Sequence, residues 1–288
     1  MSYLKSMRLN QWVKNILVFI PLFAANEITY DKLLSISYIF ISFSLVVSAT
    51  YIYNDFKDIE ADSNHPTKNK RPIAAGKISK ARGYIFMIAL FISGNLILFI
   101  IKNSLIIFSL GYTLLTFLYS EKLKYVKYFD ILTISVLFVI RVLLGSSAIS
   151  VVTSIPLILF VFFTSLGIAS GKKISILNND SIVTSRVKNF LNKAYSEEEL
   201  LFTLKSSFQL SLITYFVWIM FIKSLFLDSL SSVLLVCSCI FLFVFNNIFI
   251  NKSRLGLTEE VIETTQKDSD LLYSALLFGI SAGLGVLI

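Results

Sequence analysis

Long runs of apolar residues, separated by short polar segments, dominate the pattern of this chain. A helix needs about 20 consecutive apolar residues to cross the hydrocarbon core of a bilayer. The pattern predicts nine transmembrane helices, at 12–26, 33–53, 82–101, 104–119, 129–149, 153–171, 206–227, 230–250 and 270–288. The first is short and begins with polar residues, so eight spans are an alternative. The strict alternation of a membrane β-barrel is missing, and we therefore expect an all-α membrane protein.

The composition supports this prediction, because 56% of the 288 residues are hydrophobic and only 15% are charged. Lys and Arg gather in the cytoplasmic segments of membrane proteins. This rule places the N-terminus and residues 1–15 inside, at the plasma membrane, and predicts the cytoplasmic loops 54–82, 119–130, 171–205 and 251–270. The basic residues elsewhere are Lys32, Lys102, Arg141 and Lys223. Topology therefore explains the net charge of +8, and we expect no nucleic-acid partner because no basic soluble domain is present.

A dense polar stretch from Tyr53 to Ser79 interrupts this apolar pattern. If the second helix continues past Asn54, then Asn54, Asp55, Asp58 and Asp62 lie within one arc of its surface. Like charges so arranged destabilise a bare helix, so we infer that a cation binds there, and oxygen ligands suit Mg²⁺. The following Lys68, Lys70 and Arg71 are placed to face phosphates, and His65 to contact a phosphate or cap the loop. Alternatively, the lysines only obey the positive-inside rule.

Two motifs carry a resemblance to a known family. NDFKDIEAD, from Asn54 to Asp62, matches the N-D-x-x-D-x-x-x-D signature of the UbiA superfamily of intramembrane prenyltransferases. HPTKNKRPIAAGKIS and the N-terminal RLNQWVKNILVFIPLFA resemble one branch, the decaprenyl-phosphate phosphoribosyltransferases and their relatives. The resemblance covers most of the chain, so we expect a single domain over residues 1–288.

The resemblance implies a bundle of nine transmembrane helices around a central cavity, open to the cytoplasm and laterally to lipid. It also implies that Asn54, Asp55, Asp58 and Asp62 form a metal–diphosphate site, that Arg71 contacts diphosphate oxygens, and that the pair Lys172 and Lys173 helps to hold phosphates. Ser63 stands where many relatives have Arg, and the chain reads ISILNND after Lys173, where relatives have an acidic residue a few positions further on.

The second predicted cytoplasmic loop, YSEKLKYVKYFD, is basic where aromatic prenyltransferases of the superfamily carry a second D-x-x-x-D motif. Asp130 is the acid that remains, and fixed lysines replace the metal-binding pair. We expect this loop to serve phosphorylated substrates, with Lys122 in the catalytic set; Tyr119, Lys124 and Asp130 are candidate substrate contacts. Positive-inside charge alone is the alternative reading of Lys122, Lys124 and Lys127.

Arg141 lies in the predicted membrane core, on the same helix face as Asp130 and roughly 16 Å from it. An arginine at that depth is costly unless paired, and it indicates a functional site. We expect it to face the cavity and contact a phosphate or a polar helix; a purely structural bond to another helix is equally open. Gln11, Lys14 and Asn15 add polar groups at the membrane entrance.

These residues lead to a functional hypothesis with Mg²⁺ as cofactor. The enzyme transfers 5-phosphoribosyl from 5-phosphoribosyl diphosphate to a polyprenyl phosphate, with Asp55, Asp58, Asp62, Arg71 and Lys122 as catalytic residues. The other candidate substrate contacts are Gln11, Lys14, Asn15, Asn54, Lys68, Tyr119, Lys124, Asp130, Arg141, Lys172 and Lys173. A prenyltransferase that uses a prenyl diphosphate and an aromatic acceptor is the second hypothesis, and a transporter of a charged solute the third. A homo-oligomer is possible.

Overall fold

The computed structural model describes residues 2–64, 68–179, 186–222 and 230–288. These residues form helices and loops and contain no strand, which confirms the all-α prediction. The α-helices are α1 (Ser2–Ser6), α2 (Ile20–Ala24), α3 (Tyr30–Lys57), α4 (Ile59–Ser63), α5 (Lys80–Ile101), α6 (Ile106–Glu121), α7 (Phe129–Ala148), α8 (Ile155–Asn178), α9 (Arg186–Ala194), α10 (Glu197–Ile222), α11 (Leu230–Arg254), α12 (Val261–Lys267) and α13 (Ser269–Leu287). Short 3-10 helices lie at Leu9–Phe19, Lys68–Lys70, Asn103–Leu105 and Leu123–Tyr125.

Within the described residues, eight helices are long and apolar enough to span a membrane. They are α3, α5, α6 (with the 3-10 turn before it), α7, α8, α10, α11 and α13, and they correspond to the second to ninth predicted spans. The first predicted span is the shorter apolar helix Leu9–Ala24, whose first part is a 3-10 helix. A 3-10 helix rises about 2.0 Å per residue against 1.5 Å for an α-helix, so this segment reaches further than its length suggests. The ninth span and the cytoplasmic opening stay predictions.

Helix α7 contributes side chains to two buried clusters, which places it at the centre of the bundle. Leu137 and Leu144 pack with the first helix, α3 and α6. Val142, on another face of α7, packs with side chains of α8, α10, α11 and α13. The periphery is apolar instead: on α5, the exposed residues include Ile85, Ile88, Ile92, Leu96 and Phe99. A bilayer accounts for this exposed apolar face.

Two glycines permit close helix approaches near the polar side chains discussed below. A Cβ at Gly145 of α7 would lie 1.9 Å from the carbonyl oxygen of Val18, so the helix Leu9–Phe19 rests directly on α7. A Cβ at Gly171 of α8 would lie 2.6 Å from both Phe249 and Ser253 of α11. The first approach brings Lys14 and Asn15 towards α7, and the second fixes α8 beside α11 at Lys172.

The acidic motif does not lie on one continuous helix, as the sequence analysis assumed. Helix α3 ends at Lys57, Asp58 has non-helical dihedral angles (φ −100°, ψ 10°), and α4 begins at Ile59. Asp58 and Asp62 would be like charges one turn apart on a continuous helix. The backbone N–H of Asp62 still donates to the carbonyl oxygen of Asp58 at 2.7 Å, but each carboxylate pairs with a different basic residue, Asp58 with Lys124 and Asp62 with Arg71.

Candidate active site

The end of α3 carries a group of aspartates that are paired with basic residues from distant parts of the chain. Asp55 is buried, and its Oδ1 accepts a hydrogen bond from Arg8 and lies 3.3 Å from Nη1 of Arg71. The same Nη1 donates to Oδ2 of Asp62 at 2.6 Å. The guanidinium of Arg8 also lies 5.2 Å from the ring centre of Tyr51, a cation–π contact. The N-terminal segment and the loop after α4 are therefore both held to α3.

Asp58 ties the second basic loop to the same place. Nζ of Lys124 donates to Oδ1 of Asp58 at 2.7 Å, and Nδ2 of Asn54 donates to Oδ2 at 2.9 Å. The hydroxyl of Ser120 donates to Oδ1 of Asn54 at 3.0 Å. Lys124 is buried whereas Lys122, which the sequence analysis placed in the catalytic set, is exposed. We call Asp55, Asp58 and Asp62 with Arg8, Arg71 and Lys124 the paired cluster.

Asp130 is fully buried and bridges α7, α8 and the segment before α10. Its Oδ2 lies 3.3 Å from Nζ of Lys173, and its Oδ1 accepts a 2.6 Å hydrogen bond from the hydroxyl of Tyr195. The Tyr195 oxygen also accepts the backbone N–H of Tyr128, a residue with a positive φ of 66°. Burial and then the Asp130 carboxylate raise the pKa of Tyr195, which stays protonated as a donor. Lys173 is therefore paired with Asp130, and its role in holding phosphates stays a prediction.

Arg141 is buried in the bundle and joins three helices. Nε donates to Oδ1 of Asn15 at 2.9 Å, Nη2 to the hydroxyl of Tyr112 at 2.9 Å, and Nη1 to the carbonyl oxygen of Leu137 at 2.6 Å. The Asn15 amide then donates to Ser44 of α3 at 2.9 Å. These contacts match a bond to polar groups on other helices, and a contact of Arg141 with a phosphate stays a prediction. No carboxylate lies within ion-pair distance among the described residues, so its charge is not neutralised by a neighbour.

Lys14, Lys172 and Glu260 differ from the groups above, and we call them the unpaired cluster. All three are half-buried, and their charged groups make no hydrogen bond or ion pair within the described ranges. Burial alone would raise the pKa of Glu260, but Lys172, Lys68, Lys14 and Arg71 lower it overall. These four cations therefore lie within electrostatic range of one carboxylate. The neighbouring Glu259 pairs with Lys68 at 3.0 Å.

The remaining predicted residues are not members of these clusters. Gln11 and Tyr119 are half-buried, Lys70 is exposed, and Lys127 pairs with Glu199 at 3.0 Å. His65 lies outside the described residues.

Four residues of the clusters were missed by the sequence analysis: Arg8, Tyr195, Glu259 and Glu260. Arg8 opens the motif RLNQWVKN. The two glutamates are adjacent acids in the predicted cytoplasmic loop 251–270, and acids in such a loop are the signal that singled out the aspartates. Nothing in the local sequence marks Tyr195.

The aspartates fit Mg²⁺ through their chemistry, although the described residues contain no group of three acidic, histidine or cysteine side chains arranged to hold a metal. Asp55 and Asp62 converge on one nitrogen of Arg71, so their carboxylates already share a cation. Mg²⁺ takes hard oxygen ligands and often uses one or two carboxylates together with substrate phosphates. Asp55, Asp58, Asp62 and Asn54 supply such oxygens.

The described residues thus form an all-α bundle of apolar helices with a group of ion pairs around the end of α3 and Asp130. The family model described as the UbiA prenyltransferase family matches residues 16–254, and the chain belongs to this family. The chain is 30% identical over 219 residues to the decaprenyl-phosphate phosphoribosyltransferase of Mycobacterium tuberculosis, which covers 74% of this chain and 72% of that protein. The resemblance that NDFKDIEAD and RLNQWVKN indicated is thus confirmed.

Two further similarities are one partial sequence match and one match of the whole fold. The chain is 36% identical over 171 residues to the uncharacterized protein y4nM of Sinorhizobium fredii, a match that spans 58% of this chain but only 33% of that protein. The structure of a UbiA homolog from Archaeoglobus fulgidus bound to DMAPP and Mg²⁺ superimposes with a TM-score of 0.70 at 17% identity, covering 100% of this chain and 99% of the other. At that identity the likeness shows the fold, and the chain is a multi-pass membrane protein of the UbiA fold.

Proposed function

We propose that this protein transfers the 5-phosphoribosyl group of 5-phosphoribosyl diphosphate to a polyprenyl phosphate of the decaprenyl type and releases diphosphate. The observation that carries the proposal is the unpaired cluster, since Lys14 and Lys172 are half-buried cations without a carboxylate partner among the described residues. Half-buried ammonium groups are costly unless an anion pairs with them. A donor with a phosphate at one end and a diphosphate at the other supplies such anions. The similarity to the mycobacterial phosphoribosyltransferase supports the same substrate class.

The reaction needs positioning and charge neutralisation more than proton transfer. An oxygen of the lipid phosphate forms a bond to ribose C1, and the bond from C1 to the diphosphate oxygen breaks with its electron pair leaving on the diphosphate. The attacking oxygen is already anionic, so no strong general base is required. In this scheme Arg71, Lys14 and Lys172 bind phosphate oxygens, and Lys68 and Arg8 add positive potential; fixed cations near a leaving anion stabilise it in the transition state.

A divalent metal belongs to this scheme at the aspartates. Mg²⁺, when bound by Asp55, Asp58, Asp62 and Asn54, supplies further charge neutralisation of the leaving diphosphate. The same carboxylates pair with Arg8, Arg71 and Lys124. If Mg²⁺ were held by these carboxylates, Arg8 and Arg71 would be available to contact the diphosphate.

The proposal also includes the arrangement in the membrane. One domain of residues 1–288 spans the plasma membrane with its N-terminus and active site on the cytoplasmic side, because the paired cluster lies among the loops that are rich in Lys and Arg. The lipid acceptor enters from the side of the bundle. The soluble donor enters from the cytoplasm.

A second candidate function is transfer of a polyprenyl group from its diphosphate to an aromatic or other small acceptor. It is favoured by the fold, since the Archaeoglobus fulgidus homolog was solved with DMAPP and Mg²⁺. Against it, the loop from Lys122 to Tyr128 contains no acid, and its Lys124 neutralises Asp58. This basic loop suits a site that holds two phosphorylated substrates.

The test uses the full-length protein in lipid nanodiscs with labelled 5-phosphoribosyl diphosphate, MgCl₂ and decaprenyl phosphate. We expect label to enter the lipid phase with wild type, and the rate to fall strongly in Lys172→Gln but not in Lys70→Gln, whose lysine is exposed. If no label enters lipid while a prenyl diphosphate is consumed with an aromatic acceptor, the second function replaces the first. Omission of Mg²⁺ with excess chelator tests the metal requirement separately.

A further inference from the structure

The loop 255–260 is fixed against α8 at the position of Lys172. The backbone N–H of Thr258 donates to the hydroxyl of Ser175 at 2.8 Å, and the Thr258 hydroxyl donates to the carbonyl oxygen of Gly171 at 3.2 Å. Thr258 is fully buried. Gly256 has a φ of +75°, which an L side chain rarely adopts, and packs beside Asn178. This loop is therefore a rigid support for the two glutamates that follow.

The two glutamates have different surroundings. Glu259 pairs with Lys68 and so ties the loop to the segment that carries Arg71. The carboxylate of Glu260 makes no hydrogen bond or ion pair with a residue that the structure describes, although Lys172, Lys68, Lys14 and Arg71 act on its charge. Aspartates 55, 58, 62 and 130, by contrast, each have a basic partner within 4 Å. Glu260 thus keeps its hydrogen-bond acceptor capacity, within electrostatic range of four cations.

A carboxylate at this place is unfavourable for phosphates alone, because like charges repel. It is favourable for a ligand that offers hydroxyl donors between its phosphates. Ionised carboxylates are acceptors only, and Asp or Glu commonly accepts a hydrogen bond from a ribose hydroxyl in nucleotide-binding folds. The donor under the proposed function carries two free hydroxyl groups, on C2 and C3, between its 5-phosphate and its diphosphate. A prenyl diphosphate carries none.

We propose that Glu260 accepts hydrogen bonds from the ribose hydroxyls of the phosphoribosyl donor and so makes the site select a phosphorylated pentose. This inference rests on the proposed function and adds a specificity-determining residue to it. The unpaired cluster then works as a unit: Lys14 and Lys172 bind the charged ends of the donor, and Glu260 binds the neutral sugar between them.

The first experiment compares two ligands on one variant. Binding of diphosphate and of 5-phosphoribosyl diphosphate is measured by titration calorimetry in nanodiscs, with Mg²⁺, for wild type, Glu260→Gln, Glu260→Ala and the control Glu263→Gln. Glu263 lies one turn further on, is exposed and pairs with Lys267. We expect diphosphate to bind the Glu260 variants as tightly as wild type or more tightly, because an anion is removed. We expect 5-phosphoribosyl diphosphate to bind at least about tenfold more weakly, the usual effect of losing hydrogen bonds to a charged group.

The second experiment removes the hydrogen-bond donor from the ligand instead. Wild type should prefer 5-phosphoribosyl diphosphate to its 2-deoxy or 3-deoxy analogue, and both Glu260 variants should lose most of that preference. A site built to bind a hydroxyl discriminates strongly against the analogue without it. Comparing each variant with both ligands isolates the contact between Glu260 and the ribose hydroxyls, even if one variant is less stable.

Three results would overturn the inference. If the variants bind both ligands more tightly by the same factor, Glu260 acts only as a counter-ion of the lysines. Equal weakening would make it a support of the loop. Unchanged preference for the hydroxyl-bearing donor would show that another group reads the sugar. Failure of the proposed function gives a different signal, because wild type itself would then neither bind nor transfer 5-phosphoribosyl diphosphate.

Discussion

The paired and unpaired clusters contrast two ways of keeping charge in a membrane bundle. In the paired cluster, Asp55 is 2% exposed, and its charge is met by Arg8 and Arg71. In the unpaired cluster, Lys14, Lys172 and Glu260 have no such partner among the described residues. A buried charge that loses its partner destabilises the fold, and a buried charge without a partner is costly until a ligand pairs with it. The paired cluster therefore holds the fold and a potential metal site together, and the unpaired cluster is left for ligands.

The largest expected effect is that of Asp55→Asn. The change leaves Arg8 and Arg71 without a shared carboxylate and removes a metal-binding oxygen. We expect phosphoribosyl transfer to fall at least about 100-fold, and the free energy of unfolding to fall by about 3 kcal/mol, the low end for breaking a buried pair because both arginines are partly exposed. Transfer of label into lipid and thermal unfolding in nanodiscs measure the two effects.

The matched control for that variant is Asp31→Asn, since Asp31 is exposed in the first turn of α3. A variant of Asp55 as stable and active as this control would show that the paired cluster is not a structural unit.

Next in size is Lys172→Gln, which separates activity from stability. We expect transfer to fall about 10- to 100-fold, the range for losing one charge-assisted contact to a phosphate in the transition state. We expect the melting temperature to stay the same or rise, because the cost of burying this ammonium group exceeds the longer-range attraction of Glu260. A clear drop in melting temperature, as for Asp55→Asn, would remove the distinction between the clusters.

The basic loop offers an internal pair of variants with a smaller effect. Lys124→Gln breaks the 2.7 Å contact with Asp58, whereas Lys122→Gln changes an exposed side chain. We expect the first to lower transfer about tenfold, equivalent to about 1.4 kcal/mol, and the second to change it less than twofold. The reverse order would restore Lys122 to the catalytic role that the sequence indicated.

The smallest expected effect is a pH dependence of stability at Glu260. The pKa of this carboxyl is lowered from its usual 4.5, because the opposing effects of Lys172, Lys68, Lys14 and Arg71 together exceed the effect of burial. A lowered folded-state pKa gives stability that is present above the unfolded value and is lost as the pH falls through the folded value. The melting-temperature advantage of wild type over Glu260→Gln should therefore be constant above pH 4.5 and shrink below it. An advantage that grows on acidification would contradict the sign of this interaction.

Much of the fold follows from local sequence. The apolar runs predicted the eight long helices, because a chain in lipid must satisfy its backbone hydrogen bonds within each segment. The boundaries were less certain: α3 extends from Tyr30 to Lys57 beyond the predicted 33–53, since Thr29 caps its start and polar residues continue its last turn. The break at Asp58 was not foreseen, because the helical pattern carries no signal of the ion pairs that favour it.

The candidate site likewise contains one part that the sequence predicts and another that depends on packing. The motif NDFKDIEAD contains Asn54, Asp55, Asp58 and Asp62, so their proximity could be predicted from the sequence alone. Arg8 is 47 positions from Asp55, and Lys124 is 66 positions from Asp58. Which lysine of YSEKLKYVKYFD reaches an aspartate depends on how the loop after α6 turns, and a sequence pattern does not specify that turn.

By itself the sequence determined an all-α membrane protein with a polar motif at the end of one helix, because apolar length and local charge are properties of single segments. Only the tertiary structure decided which charges are paired. Packing of α7 against the first helix at Gly145 and of α8 against α11 at Gly171 brings Asn15 to Arg141 and holds the loop of Glu260 beside Lys172. Electrostatic pairing acts over a few ångströms. It therefore depends on the distances that packing creates and not on separation along the chain.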